Sequence, residues 1–229
     1  MAAVKIADDA AHAGVPPGGE GPGPAASPGP ALTIHARDDA GRRTVEHFVE
    51  QAHARLYGGT LTEHYPVIVS IRSDEGRILA AAGVRFAGES LLWAEQQLSL
   101  PIEREIARLV GKLAPRRRIA EVGDFTWADD GSALRLLAGL SGYLPSQGCD
   151  YVVATATAAT QRWLRRAGFD VDVLAQARAD RLLDAGASGG RYYEHRPAVV
   201  LGKLRTAADQ AHEQPSTAGQ ARRKRAASW

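Results

Sequence analysis

Two carboxylates stand three residues apart in a β-rich stretch, as Glu121 and Asp124 within residues 119–127. Partial burial raises the pKa of a carboxyl group towards neutrality, where a general base is most effective. Glu121 is a candidate catalytic base, and the alternative is a carboxylate paired with Arg118 or Arg85. In a regular strand Asp124 would point to the opposite face, so only one of the two would face substrate. Asp124 and Arg85 are substrate-binding candidates.

Tyr193 and His195 alternate along a segment that we expect to be extended, so their side chains should share one face. A phenol and an imidazole on one face suit proton transfer within a single cleft. Both are predicted to be catalytic. The alternative is that Tyr192, Tyr193 and His195 pack over the end of a sheet, with Arg196 paired to a surface acid.

Four polar residues are further candidates for binding substrate. Glu95 and Gln96 could hold the amine or the carboxylate of an acceptor, or could cap the proline-started helix that follows. Thr155 and Thr157 are predicted on one face of a strand whose small residues leave room for a ligand. The simpler explanation of the two threonines is β propensity.

Composition excludes several classes of function. Lys and Arg number 28 against 26 Asp and Glu, a formal charge of +2, which is too balanced for a protein that neutralises many nucleic-acid phosphates. Cys149 is the single cysteine, so no internal disulfide forms, and its Gly-Cys-Asp setting indicates a turn rather than a nucleophile. Since no spacing matches a metal site or a nucleotide loop, we expect neither a metal nor a tightly bound cofactor.

The elements that must position these residues follow from hydrophobic periodicity. The predicted helices cover 43–56, 102–113, 132–147 and 160–167, the last capped by Thr160 and ended by Gly168. The predicted strands cover 64–72, 77–85, 119–127, 151–156, 169–173 and 197–204. This order predicts a mixed α/β (α+β) fold, with an antiparallel hairpin first and parallel strands where helices join them.

The chain divides into three parts by composition. Residues 1–30 are rich in Ala, Gly and Pro and are predicted to be a disordered leader, 31–205 one globular domain, and 206–229 a disordered basic tail. The basic run at 222–225 could attract anionic lipid, although a solvated end is the simpler interpretation. No signal peptide and no apolar run of about 18 residues is present, so we expect a cytoplasmic protein.

The order of elements resembles the GNAT fold, in which two neighbouring parallel strands splay apart and a pantetheine arm lies between them. The resemblance implies that strands 119–127 and 151–156 are the splayed pair, with backbone groups available to the amides of the arm. The ending Gly168-Phe169 after the last helix also matches this fold.

Residues 60–204 resemble more specifically the thermostable hemolysin family, itself distantly similar to acyl-homoserine lactone synthases. Five blocks carry the likeness: Arg77 to Gly83, Glu95 to Glu103, Glu121 to Asp124, Thr155 to Thr157, and Tyr193 to Pro197. The resemblance implies an acyltransferase that moves a fatty or other acyl group from a thioester to the amine of a small acceptor such as an amino acid.

Two departures modify that expectation. The loop that in many GNAT relatives binds the pyrophosphate of coenzyme A carries Asp129 and Asp130 here, which would repel the anion unless Arg135 or the arginines at 116–118 compensate. This favours acyl carrier protein ahead of coenzyme A as donor. Leu164 occupies the usual position of a tyrosine acid. The rival interpretation, suggested by the family name, is a membrane-active or non-catalytic binding protein; membrane contact is not required for the enzyme.

Overall fold

A mixed sheet of seven strands forms the centre of the fold within residues 32–183 and 190–204, which the computed structural model describes. The predicted leader and tail lie outside these residues. The strands are β1 (Thr33–His35), β2 (Val67–Arg72), β3 (Ile78–Phe86), β4 (Ile119–Trp127), β5 (Tyr151–Ala156), β6 (Val171–Gln176) and β7 (Ala198–Lys203). The helices are α1 (Arg42–Tyr57), α2 (Ile102–Val110), α3 (Asp130–Ser146) and α4 (Ala158–Arg166), with 3-10 turns at Trp93–Gln97, Arg116–Arg118, Ala179–Arg181 and Gly190–His195.

The strand order is β1-β2-β3-β4-β5-β7-β6. β4 and β5, which α3 connects, pair in parallel, whereas the other described pairs are antiparallel. The predicted hairpin is β2–β3, and the predicted parallel pair is β4–β5. α4 joins β5 to β6, but β7 lies between those two strands, so they are not neighbours.

Helices cover both faces of the sheet because the buried residues of the strands alternate between two cores. On one face α3 packs on the strands through Ala133, Leu136, Leu140 and Leu144, and α4 joins the same core through Trp163. On the other face α1 packs through Val45 and Val49, and α2 through Ile102 and Ile106. β4 is buried along its whole length. Residues of β4 are therefore held rigidly, whichever face they point to.

Two predicted helix boundaries were wrong. The helix predicted for 102–113 ends at Val110, because Gly111 adopts φ +72° and its amide closes the last turn on the Ala107 carbonyl. The last helix is capped by Thr157 rather than Thr160: the Thr157 hydroxyl accepts a hydrogen bond from the Thr160 amide at 3.2 Å.

Replacing Thr157 by Ala is expected to lower the free energy of unfolding by about 1 kcal/mol, because the Thr160 amide loses its acceptor. Chemical denaturation followed by circular dichroism measures this. Thr44→Ala on the exposed side of α1 is the matched control and should be neutral or slightly stabilising. Equal stability of Thr157→Ala and the wild type would contradict the cap.

Candidate functional site

β4 and β5 form a fork. They pair only at Ile119–Tyr151, Ala120–Val152 and Glu121–Val153, although β4 continues to Trp127 and β5 to Ala156. β5 then pairs along its length with β7, and β4 with β3. The splayed parallel strands expected from the sequence are therefore present, and Glu121 stands in the last residue pair before the strands part.

Glu121 lies at this branch point with its carboxylate fully buried. Its two oxygens accept hydrogen bonds from the amides of Trp93 and Ala94, at 2.7 and 2.9 Å. Burial raises the pKa of Glu121 to about 7, because desolvation outweighs the two amide hydrogen bonds and the nearby charge of Arg85. The group can thus both hold and release a proton near neutral pH.

Neither arginine suggested as an ion-pair partner of Glu121 forms a salt bridge with it. Arg118 pairs with Asp150 instead. Arg85 stands opposite Glu121 on β3, but its guanidinium donates to the Leu91 carbonyl at 3.1 Å and lies 3.8 Å from Glu63.

Asp124 does not lie in a regular strand, which was the condition for its pointing to the opposite face. Gly123 pairs with Gly83 and Thr126 with Ala81, so Asp124 and Phe125 together face the single residue between them on β3. Asp124 has φ +49° at this β-bulge, a conformation that Asp tolerates better than most residues. Its side chain is 5% exposed. The expectation that Asp124 points away from Glu121 therefore loses its basis.

Tyr65 belongs to this site and was missed from the sequence. Its ring covers Gly83 and Gly123: a Cβ atom at Gly123 would stand 1.9 Å from the Tyr65 hydroxyl. Burial raises the pKa of Tyr65 well above 10, and the charges of Glu121 and Asp124 raise it further. Glycines inside two neighbouring strands are a signal of close approach by another group, and that signal was available.

An open cavity of about 520 Å³ lies beside β3 and the Trp93–Gln97 turn. Three predicted substrate-binding residues meet there, Arg85, Glu95 and Gln96, together with Trp93. The guanidinium carbon of Arg85 lies 4.1 Å from the centroid of the Trp93 ring. The Trp93 ring packs edge-on against Tyr65, with ring centroids 4.4 Å apart. Arg85 and Trp93 therefore border both the cavity and the Glu121 region.

Glu95 has a visible structural role in addition to lining the cavity. Its oxygens accept hydrogen bonds from the amides of Leu92 and Ile102, at 2.8 and 3.1 Å, and from Arg116 at 2.7 and 2.9 Å. Burial raises the pKa of Glu95, but these hydrogen bonds outweigh burial and leave the pKa below its ordinary value. Gln96 accepts from the Leu183 amide at 3.1 Å. Whether either side chain binds substrate stays a prediction.

Replacing Arg116 by Ala should lower the free energy of unfolding by about 2 kcal/mol near neutral pH, because Glu95 loses its charged partner. The pKa of Glu95 in the folded state is below its unfolded-state value of about 4.5. The ionised carboxylate therefore stabilises the fold at pH values above about 4.5, and this stabilisation is lost as the pH falls from about 4.5 through the lower folded-state pKa. The difference between variant and wild type should therefore shrink in acid. Urea titrations at neutral and acid pH measure it, and a pH-independent difference would contradict the assignment. Arg117→Ala, at an exposed neighbouring position, is the control.

Tyr193 and His195 do not lie on an extended segment, so the prediction of a shared face was wrong. Gly190–His195 forms a 3-10 turn, in which residues two apart point in different directions. The Tyr193 ring packs edge-on against the Tyr192 ring, with centroids 5.3 Å apart. The His195 ring packs edge-on against Tyr57, with centroids 5.6 Å apart. The Tyr192 hydroxyl donates to the Thr155 carbonyl at 2.9 Å, which fixes this turn to β5. A catalytic role for Tyr193 or His195 stays a prediction.

Thr155 and Thr157 do not share a strand face, because β5 ends at Ala156 and Thr157 caps α4. Thr155 is buried within β5. Cys149 is also buried, and desolvation raises the pKa of its thiol, so it is not activated as a nucleophile.

The N-terminus of α3 is already occupied by its own cap. The Asp129 carboxylate accepts a hydrogen bond from the Ser132 amide at 2.8 Å, and the Asp129 amide donates one to the Ser132 hydroxyl at 3.3 Å. A helix N-terminus binds anions through free amides and its dipole. Here a carboxylate takes that place. No group of three or more metal-ligating side chains occurs in the described residues, and none of the described helices is long and apolar enough to span a membrane.

Comparisons with known proteins find a matching family and similar folds. The sequence model of the family described as Thermostable hemolysin matches residues 35–208. The structure is similar to that of a CoA-dependent acyl-homoserine lactone synthase, BjaI, with SAM and isopentyl-CoA, at TM-score 0.51 and 13% identity over 80% of this chain and 87% of that one.

Two further solved structures are similar at lower TM-scores. The acyl-homoserine lactone synthase LasI has a TM-score of 0.46 and 12% identity, covering 77% of this chain and 92% of its own. A protein named as a putative N-acetyltransferase from Lactobacillus plantarum has a TM-score of 0.46 and 10% identity. The match covers 76% of this chain and 99% of that one. A search of curated proteins found no match. The seven-stranded mixed sheet, together with the similarity to BjaI at TM-score 0.51, confirms the expected GNAT-like fold.

Proposed function

The chain belongs to the thermostable hemolysin family, and from this premise we propose that it is an N-acyltransferase that moves an acyl group from a thioester to the amine of a small acceptor. The observation that carries the proposal is the fork of β4 and β5 with Glu121 at its branch point, buried and with a pKa of about 7.

The fork suits a pantetheine arm, because strands that have parted no longer satisfy each other's backbone groups. β4 and β5 pair over three residues and then separate, and the amides and carbonyls that face the gap can bond an arm that carries amides of its own. The thioester carbon would then lie near Glu121.

Acyl transfer requires a neutral amine. The carboxylate of Glu121 takes a proton from the acceptor ammonium, and the nitrogen lone pair forms the new C–N bond. The C–S bond breaks with its electron pair on sulfur. The nitrogen loses a second proton, and the thiolate takes one, so the net products are an amide, a thiol and one released proton. A carboxyl pKa near 7 lets Glu121 exchange protons at neutral pH.

We favour acyl carrier protein ahead of coenzyme A as donor. The Asp129 carboxylate caps α3 through the Ser132 amide, and Asp130 lies exposed beside it, so a pyrophosphate at that helix end would meet negative charge. A carrier protein holds its single phosphate outside the pocket. Turnover of one acyl group presented on each carrier decides between them, with the carrier protein expected to give the higher kcat/KM.

The acceptor that fits best is an amino acid. Arg85 lines the cavity and brings a positive charge that can bind the carboxylate of an amino acid. Glu121, which accepts a hydrogen bond from the amide of the cavity residue Trp93, can act on the amine. Gln96, Thr155, Tyr193 and His195 remain proposed contributors to binding or catalysis.

The test is release of free thiol by the full chain offered acyl thioesters with a panel of primary amines and amino acids, with the amide product identified by mass spectrometry. We expect thiol release that depends on the amine. Cys149 is buried and should add little background. No amine-dependent turnover across carrier-protein and coenzyme A thioesters would contradict the proposal.

A further inference from the structure

Tyr65 is a fully buried tyrosine with an unsatisfied hydroxyl. Its exposure is 0%, and its hydroxyl has no hydrogen-bond partner among the described residues. A buried tyrosine usually finds a partner for its hydroxyl, and leaving such a group unpaired destabilises the fold. A site that retains an unpaired buried hydroxyl is a candidate for a bound group that satisfies it.

The position of the hydroxyl is fixed by its neighbours. It lies directly over Gly123, which is two residues after Glu121 and next to the bulge at Asp124. The Tyr65 ring is held from above by Trp93, with the Arg85 guanidinium 5.9 Å from the ring centroid. The hydroxyl therefore faces the part of β4 that has separated from β5.

Two carboxylates act on this position. The charges of Glu121 and Asp124 both reach the Tyr65 phenol and help to keep it protonated. Their negative charge disfavours an oxyanion at this position and favours a cation. Arg85 adds positive charge nearby, but its guanidinium is engaged with the Leu91 carbonyl and lies near Glu63 at the cavity.

We propose that the Tyr65 hydroxyl, with the carboxylates of Glu121 and Asp124, forms a binding site for the primary ammonium group of the acceptor. This deepens the proposed function and rests on it for the identity of the ligand as the acceptor. An ammonium has three N–H donors, and the three side chains supply oxygen acceptors around it. Glu121 is then placed to take one of the protons that the ammonium must lose.

The site explains two features of the chain together. Gly83 and Gly123 leave the space that the Tyr65 ring occupies, and the bulge shifts Asp124 out of the regular alternation of β4. A regular strand would direct Asp124 to the opposite face.

The test measures binding separately from turnover. Butylamine hydrochloride is the probe, and two controls are measured at equal ionic strength. Tetramethylammonium chloride is a cation without N–H donors, and butanol has the same carbon chain without a charge. We expect butylamine to raise the melting temperature of the full chain more than either control. Tyr65→Phe and Asp124→Asn should each weaken the binding of butylamine about tenfold or more, because each removes a hydrogen bond or an ion pair with the charged ammonium group.

Both variants are designed to fold. Phe keeps the ring over Gly83 and Gly123, and Asn tolerates the left-handed backbone at residue 124. Tyr143→Phe, which removes a hydroxyl from α3 on the other face of the sheet, is the matched control and should bind the probe as the wild type does.

Each outcome is decisive. Equal stabilisation of wild type, Tyr65→Phe and Asp124→Asn, or no preference of the wild type for butylamine over tetramethylammonium, overturns the ammonium site. Selective butylamine binding without any thiol release keeps the site and refutes the transferase. Thiol release with an unchanged KM for the amine in Tyr65→Phe keeps the transferase and refutes the site.

Discussion

Replacing Glu121 by Gln is expected to lower amine-dependent thiol release about 100-fold or more, because a positioned general base contributes about 10²- to 10⁴-fold. The amide of Gln cannot accept the proton. The measurement is kcat/KM by thiol detection at saturating thioester. Glu89→Gln, an exposed carboxylate after β3, removes the same charge and should retain wild-type activity.

The pH profile gives an independent reading of the same group. Only the ionised carboxylate can act as a base, so wild-type kcat/KM should fall as the pH drops below about 7, the pKa of Glu121. Above about pH 7 Glu121 is ionised, so it should cause no further change in kcat/KM. The residual activity of Glu121→Gln should lack this inflection. Activity within about threefold of wild type, or an unchanged profile in the variant, would place the base elsewhere.

Stability provides the check that the variant still folds. A carboxyl pKa raised from 4.5 to about 7 means that the folded state binds the proton more tightly than the unfolded state. Glu121 therefore lowers stability as the pH rises from about 4.5 to about 7, by roughly 3 kcal/mol in all. That decline should be absent in Glu121→Gln. Gln also turns N–H groups towards the amide of Trp93 or Ala94, so some loss of stability at all pH values is expected.

Replacing Gly83 by Ala should lower the free energy of unfolding by about 3 kcal/mol or more. The added Cβ would stand 2.2 Å from Cδ2 and 2.3 Å from Cγ of Tyr65. These are ring atoms of a side chain with no exposed surface that packs against Trp93, so the ring cannot move aside cheaply. Thermal and chemical denaturation measure the effect.

Gly142→Ala is the matched control, since no atom lies within 4 Å of the position of its Cβ. It is exposed inside α3, and Ala should stabilise the helix by up to about 1 kcal/mol. The two glycine substitutions are thus expected to have opposite signs. A neutral Gly83→Ala would mean that Tyr65 does not fill the space over β3 and β4 as described.

Elements with a strong period were predictable from the sequence. β4 and β5 have the predicted bounds, because both are rich in β-branched, aromatic and small apolar residues and are bounded by turn residues. β1 was missed, since three residues carry no period of their own and Thr33–His35 is held by pairing with Ser70 and its neighbours. Boundaries that depend on one side chain were less predictable: both Thr157 and Thr160 are suitable caps, and only the observed hydrogen bond decides.

The site was predictable where it depends on a single strand and not where it depends on packing between elements. Glu121 follows from its place on β4, but its two amide donors come from residues 28 and 27 positions away in the chain. The bulge at Asp124 cannot be read from an otherwise regular strand pattern. Tyr65 precedes β2 and reaches β4 only through the sheet, so no local spacing connects it with Glu121.

In the proposed function, the fork between β4 and β5 holds the thioester arm. The most direct measurement is a crystal structure with a non-hydrolysable acyl-pantetheine thioether. The prediction is an arm lying between β4 and β5 beyond the Glu121–Val153 pair, with its amides bonded to strand backbone and the acyl carbon on the Glu121 side. An analogue bound elsewhere, with the fork unoccupied at saturation, would contradict it.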